Sequence, residues 1–112
     1  MKIYHNPRCR KSREGVQYLT EKKLNFEIFD YLKEGVSEDD IKSILKKLNM
    51  SAIELVRKNE KIWKDNFKGK ELKEEQIISI LCEEPKLIER PIIVHKNKAV
   101  IGRPKENIDN LL

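Results

Sequence analysis

The chain has 112 residues, 38% of them hydrophobic and 38% charged, with 24 Lys and Arg against 19 Asp and Glu, a net charge of +5 and a pI near 9.2. That length supplies one modest hydrophobic core, so a single domain over residues 1–112 is expected. No apolar run approaches a membrane span, Cys9 and Cys82 offer neither a zinc spacing nor a disulfide framework, and seven aromatics among interleaved charges do not indicate a nucleic-acid surface.

Lys2–His5 carries Ile3 and Tyr4 and runs into the breaker pair Asn6-Pro7, which predicts a strand followed by a turn. Helix formers extend from Cys9 to about Lys23, with Val16 and Leu19 as apolar positions. Asn25–Asp30 alternates and puts Phe26 and Ile28 on one face of a second strand. A strand–helix–strand opening of this kind normally pairs its strands in parallel, through a right-handed crossover. Ser37 predicts an N-cap, followed by an acidic first turn and an apolar stripe of Ile41, Ile44, Leu45 and Leu48. Ser51 and Glu54 have capping-box spacing for a shorter helix through Arg57. Ile62, Trp63 and Phe67 read as core anchors of an irregular segment, and Leu72–Glu84 as a helix that stops at Pro85.

Pro91–Val94 is a continuous apolar, β-branched stretch of the kind found in buried strands. Lys96-Asn97 can turn it back along Lys98–Ile101, with His95 at the turn, and Pro104 suits the first turn of a short last helix. The order is βαβ, a central helical insertion, then ββα. This is an α/β, thioredoxin-like arrangement with a mixed four-stranded sheet.

Cys9 falls directly after the first strand, at the N-terminus of the first helix, where unpaired N–H groups and the helix dipole favour an anion. Arg8, Arg10, Lys11 and Arg13 surround it in sequence, and such settings lower cysteine pKa values and create a nucleophilic thiolate. Position 12 is serine, so Cys9 has no dithiol partner in its loop and must draw reducing power from outside, most simply from glutathione or another small thiol. Ser12 can bond the thiolate or only support the helical turn; His5 can tune Cys9 or make a local structural bond. Cys82, in an apolar helical pattern, reads as a buried structural thiol.

Tyr4-His5-Asn6-Pro7-Arg8-Cys9, followed by Lys11-Ser12-Arg13, resembles the active-site loop of the glutaredoxin-linked arsenate reductases of the ArsC family. Leu55–Asn59 resembles the family's middle arginine motif, Glu89–Val94 its second arginine with the proline and buried strand that follow, and Gly102-Arg103-Pro104 its third. The resemblance runs the length of the chain. It implies that Cys9 attacks arsenate to form a thiol–arsenic adduct, that glutathione attacks next, and that glutaredoxin completes the reduction to arsenite. It further implies that Arg57, Arg90 and Arg103 bind the oxyanion, with His5, Asn6, Ser12 and Pro91 in support, and that the Arg90–Pro91 bond is cis.

Guanidinium forks match tetrahedral oxyanions and stay charged. Arg57 also fits the bland role of a cation at a helix C-terminus, whereas Arg90 and Arg103 flank prolines at the ends of the hairpin. Arg10 stands where the best-known arsenate reductases carry glycine, and a long cation there can fold over the pocket; with an end at Leu112, this places the chain among the short, less specialised members. The expected protein is a cytoplasmic monomer with no bound metal or cofactor and with glutathione as co-substrate. Two alternatives share the fold class: a regulator resembling the Spx-type proteins that bind RNA polymerase, which Ser12 disfavours, and a monothiol iron–sulfur carrier, which the three arginines disfavour.

Overall fold

The computed structural model describes residues 1–112, which divide into two compact units, Met1–Glu34 with Arg90–Leu112, and Gly35–Glu89. The first contains the sheet: β1 (Lys2–His5), β2 (Glu27–Asp30), β3 (Ile92–His95) and β4 (Lys98–Ile101) lie in the order β2-β1-β3-β4. β1 pairs with β2 in parallel and with β3 antiparallel, and β3 pairs antiparallel with β4, so the sheet is mixed and four-stranded, as expected. The parallel pair is joined by α1 (Arg10–Glu21), the crossover helix.

The core follows from the apolar alternation. Ile3 and Ile93 sit opposite each other on adjacent strands, and both are wholly buried with Leu19 of α1 and with Ile108 and Leu111 of the terminal 3-10 helix Lys105–Leu111. Burying a side chain of this size contributes roughly 1.5–3 kcal/mol. Phe26 joins this core from just before β2, but Ile28 is 51% exposed on the edge strand, so the expected shared apolar face is only half realised. His95 belongs to β3 and is partly buried, while Lys96, the residue after it, takes the left-handed conformation that turns the hairpin.

Pro91 is held by two glycines. A Cβ at Gly15 would lie 3.0 Å from Pro91 Cγ, and one at Gly102 would lie 3.1 Å from the same atom and 2.9 Å from Ile93 Cδ1. The Gly102 N–H also donates to the Pro91 carbonyl at 2.8 Å. Gly102→Ala is therefore expected to cost about 1–3 kcal/mol through overpacking, measured as a lower melting temperature. A variant as stable as the wild type would mean that the strand end relaxes around the methyl group.

The second unit is helical. α3 (Glu38–Leu48) has the full capping box anticipated at its start, with the Ser37 side chain accepting from Asp40 N–H and the Asp40 side chain accepting from Ser37 N–H. Its apolar stripe buries Ile41, Ile44 and Leu45, and it packs against α5 (Glu74–Glu83), which buries Ile77, Ile78, Ile80 and Leu81. A short α2 (Tyr31–Glu34) precedes it in the chain, within the sheet unit.

Two expectations are corrected here. The helix expected to run through Arg57 is a single 3-10 turn, Ala52–Leu55, because the chain beyond it is captured by another segment. Glu89 N–H donates to Leu55 O at 2.9 Å, Val56 bridges Ile88 antiparallel, and Arg57 N–H donates to Leu87 O at 2.7 Å. The segment read as irregular forms α4 (Lys61–Asn66), supported by the Lys61–Asp65 pair and by Trp63, which is buried against Phe67.

Candidate active site

The loop between β1 and α1 is built by Asn6. Its side-chain Oδ1 accepts from Arg8 N–H at 3.0 Å, its carbonyl accepts from Cys9 N–H at 3.0 Å, and its own N–H donates to Ser12 Oγ at 2.9 Å. The short Asn side chain satisfying its neighbours' backbone is what lets the strand turn sharply here. Ser12 is completely buried, and its Oγ lies 2.6 Å from His5 Nδ1. Burial, reinforced by Arg13 and opposed by Asp30, lowers the His5 pKa and favours the neutral ring. A neutral ring protonated at Nε2 accepts the Ser12 hydroxyl proton at Nδ1, which leaves the Asn6 N–H on a lone pair of the same oxygen.

The result is a polar tie from β1 to α1 beneath the cysteine. Of the alternatives open for Ser12 and His5, the geometry favours the supporting ones: the Ser12 hydroxyl is engaged with His5 and Asn6, and His5 meets Ser12.

Cys9 is the N-cap residue of α1, with extended backbone, and is half-buried. The thiol makes no conventional side-chain cap bond, but the N–H groups of the first turn lie close enough to favour its anion. Burial alone would push the thiol up; it is outweighed by a hydrogen bond from the Arg90 side chain, the Ser12 backbone N–H, the charge of Arg90 and the Lys11 backbone N–H. The balance holds the Cys9 pKa below the ordinary thiol value. Helix-terminus donors and one guanidinium thus converge on the sulfur, a combination that suits a thiolate and equally an oxyanion beside it.

Arg90 and Pro91 are joined by a cis bond, as the resemblance implied, and Arg103–Pro104 is a second cis bond that it did not. The β3–β4 register pairs Ile92 with Ile101, and the Gly102–Pro91 hydrogen bond continues it outward. Arg90 and Arg103 are therefore the next residues at the open end of the hairpin; Arg103 is exposed and Arg90 half-buried. Arg57 lies in the helical unit, where Nη1 donates to Glu60 Oε1 at 2.8 Å and Nε stands 3.7 Å from Glu89 Oε1.

Residues 4–111 match the model of the ArsC family. The chain belongs to the ArsC family. It is 44% identical to the uncharacterized protein YfgD of Escherichia coli, over 96% of this chain and 92% of that protein. It is 36% identical to the arsenate reductase of Haemophilus influenzae, over 98% of this chain and 97% of the relative. In three dimensions it is similar to the arsenate reductase of Vibrio cholerae, with a TM-score of 0.94 and 33% identity, covering 100% of this chain and 98% of the other.

In this ArsC protein the basic neighbours of Cys9 act less directly than their spacing suggests. A long cation at position 10 can fold over the site, but the Arg10 side chain is 85% exposed and turns along the helix to Glu14, which also pairs with Lys11, each at 3.5 Å. Arg13 donates to the Pro7 carbonyl at 2.9 Å and braces the loop. Glu14 and Gly15 are parts of this ArsC site that the sequence left unread; Glu14 was signalled by its i+4 and i+3 spacing from Arg10 and Lys11.

Cys82 is half-buried rather than buried, and its pKa is raised by burial and by the charges of Glu38, Asp40 and Glu83. The two thiols of the ArsC protein are thus pushed in opposite directions. A neutral alkylating agent is expected to modify Cys9 with a rate that falls only as the pH drops through its depressed value. Cys82 gains reactivity only at pH above the ordinary thiol range. Coincident pH profiles for the two, followed by mass spectrometry, would contradict this electrostatic account.

No helix is long and apolar enough to cross a membrane, and no group of three or more His, Cys, Asp or Glu is arranged to hold a metal ion.

Proposed function

We propose that the protein is an oxidoreductase that reduces arsenate to arsenite, with Cys9 as nucleophile and glutathione and glutaredoxin as electron donors. The observation that carries the proposal is the convergence of Arg90 and the amides of Ser12 and Lys11 on the Cys9 sulfur, in a chain of the ArsC family. The Cys9 thiolate attacks arsenic and expels a hydroxyl as water, forming a Cys9–arsenic(V) bond. Glutathione then attacks the Cys9 sulfur; the sulfur–arsenic electron pair departs with arsenic as arsenite, and Cys9 is left in a mixed disulfide with glutathione. Glutaredoxin takes the glutathione and returns Cys9 to the thiolate.

Two thiols become one disulfide, which balances the two electrons gained by arsenic. The need for an outside thiol follows from Ser12, whose hydroxyl is engaged with His5 and Asn6 and which offers Cys9 no sulfur. Arg90, beside the sulfur, and Arg103, next to it at the hairpin end, would hold the oxyanion; the place of Arg57 among them rests on the family resemblance. His5, Asn6, Ser12 and Pro91 fix the loop and the arginine. On this reading the protein is a cytoplasmic monomer that needs no bound cofactor.

The test is a coupled assay with arsenate, glutathione, glutaredoxin, glutathione reductase and NADPH. Saturable NADPH oxidation that requires both arsenate and glutaredoxin supports the proposal. Turnover that persists without glutaredoxin removes that carrier from the scheme, and absence of turnover with any thiol donor removes the reductase.

A further inference from the structure

We propose that Arg8, Arg10 and Lys11 form a cationic surface that receives the carboxylates of the incoming thiol donor, the anionic tripeptide glutathione. The inference rests on the thiol-donor step proposed above. All the residues concerned lie in the sheet unit. Between positions 8 and 14 stand four basic side chains and one carboxylate, a net +3 of the chain's +5. Arg8 and Arg10 adjoin Cys9 in the chain, with Cα atoms about 3.8 Å from its own, and Arg8, Arg10 and Lys11 are all exposed.

The sulfur itself is served by other groups. Those that most favour its thiolate are Arg90 and the amides of Ser12 and Lys11, not the side chains of its basic neighbours. Arg10 and Lys11 instead lie along α1 with Glu14, at 3.5 Å each, and their side chains are 85% and 51% exposed. Ion pairs so long and so exposed are weak, and a carboxylate arriving from solvent displaces Glu14 at little cost. An oxyanion bonded to Cys9 meets the groups at the sulfur. Cations that flank the sulfur without serving it meet the molecule that attacks next. Glutathione is net negative at neutral pH, and its two carboxylates stand several bonds from its thiol. At physiological salt such charges act over about 8 Å, and they raise the encounter rate of an anionic reagent. A merely solvated charged face would treat charged and neutral reagents alike.

The measurement is the rate at which Cys9 forms a mixed disulfide with oxidised glutathione, divided by its rate with the neutral 2-hydroxyethyl disulfide. Both are followed by mass spectrometry without arsenate. The Cys9 thiolate attacks one disulfide sulfur, a bond to Cys9 forms as the sulfur–sulfur bond breaks, and the other half leaves as a thiolate. One disulfide replaces another, so no electron donor is consumed. The ratio of the two rates cancels any change in the thiolate fraction of Cys9. The triple variant Arg8→Gln, Arg10→Gln, Lys11→Gln is expected to lower the ratio about tenfold, the low end of electrostatic steering, and to flatten its fall with added salt. Glu14→Gln is expected to raise it. An unchanged ratio in a triple variant that melts like the wild type overturns the surface. If the triple variant fails to fold, Arg10→Gln alone decides, by a fall of about twofold or its absence. Arsenate turnover is measured apart: its absence from the wild type sinks the reductase and does not move the ratio.

Discussion

Cys9→Ser is expected to abolish arsenate-dependent turnover while leaving the fold and its melting temperature essentially intact. Serine retains the size and the N-cap position but is not ionised at neutral pH, so the bond to arsenic is not formed at a useful rate. Loss of an enzyme's nucleophile typically lowers kcat by at least about a thousandfold. Stability should not follow activity. Cys9 is the N-cap of α1 and makes no conventional side-chain cap bond, whereas serine is among the preferred N-cap residues and can accept from the N–H groups of the first turn. A melting temperature equal to or slightly above wild type is therefore the expected companion of the inactive variant. Turnover within tenfold of wild type would show that Cys9 is not the attacking group, and the search would move to other chemistry on the same fold.

Arg90→Ala is expected to have the second largest effect, and it should appear in two separable quantities. The Arg90 side chain donates to the Cys9 sulfur and supplies the charge that helps to offset its burial. With the guanidinium gone, burial is opposed only by the amides of the helix start, and the Cys9 pKa rises towards or beyond its ordinary value. The pH profile of alkylation shifts to higher pH, and at neutral pH less thiolate is present. The oxyanion loses a fork of donors as well. A charge-assisted hydrogen bond is worth about 1.5–3 kcal/mol, so kcat/KM for arsenate should fall by about ten- to a hundredfold. Arg90→Lys should restore part of the pKa shift, through its charge, and less of the kcat/KM, because lysine lacks the planar fork. An unshifted alkylation profile in Arg90→Ala would detach Arg90 from the nucleophile. A large loss of melting temperature with normal kinetics would make Arg90 structural.

Much of the architecture could be read from local signals, and the failures have a common cause. The strands Lys2–His5 and Lys98–Ile101 and the helix capped by Ser37 are written in alternation, turn residues and capping-box spacing within a few positions of each other, and they appear where those signals lie. The turn after Ser51 started as its capping box predicts, with Ser51 N–H bonded to Glu54, but it stopped early. What ends it is the pairing of Leu55–Arg57 with Leu87–Glu89, a contact across more than thirty residues that no local pattern encodes. The same pairing moves Arg57 from a helix terminus to an extended segment between two carboxylates.

The site divides along the same line. The position of Cys9 at a strand-to-helix turn was readable because Asn6-Pro7 and the helix formers after it are adjacent in sequence. Which cation serves the sulfur was not. Four basic residues lie within four positions of Cys9, yet Arg10 and Lys11 are drawn to Glu14 and Arg13 to the Pro7 carbonyl. The guanidinium that reaches the thiol, Arg90, lies 81 positions away. Only the family resemblance pointed to it. The sequence leaves Ser12 open between two roles because a hydroxyl one turn into a helix can point either way, and the choice is made by the buried His5 on the neighbouring strand.

Pro91 seated between Gly15 and Gly102 has a consequence for how this site can diverge. The nucleophile is carried by the helix that contains Gly15, and the arginine by the residue just before Pro91, so a single ring packed against two bare backbones acts as the locating pin for both. Alignment of sulfur and guanidinium is thereby fixed without help from the exposed side chains of Arg8, Arg10 and Lys11. Those outer positions can be exchanged to suit a different anion or thiol carrier while the inner register stays as it is. A change at the pin alters both halves of the chemistry at once.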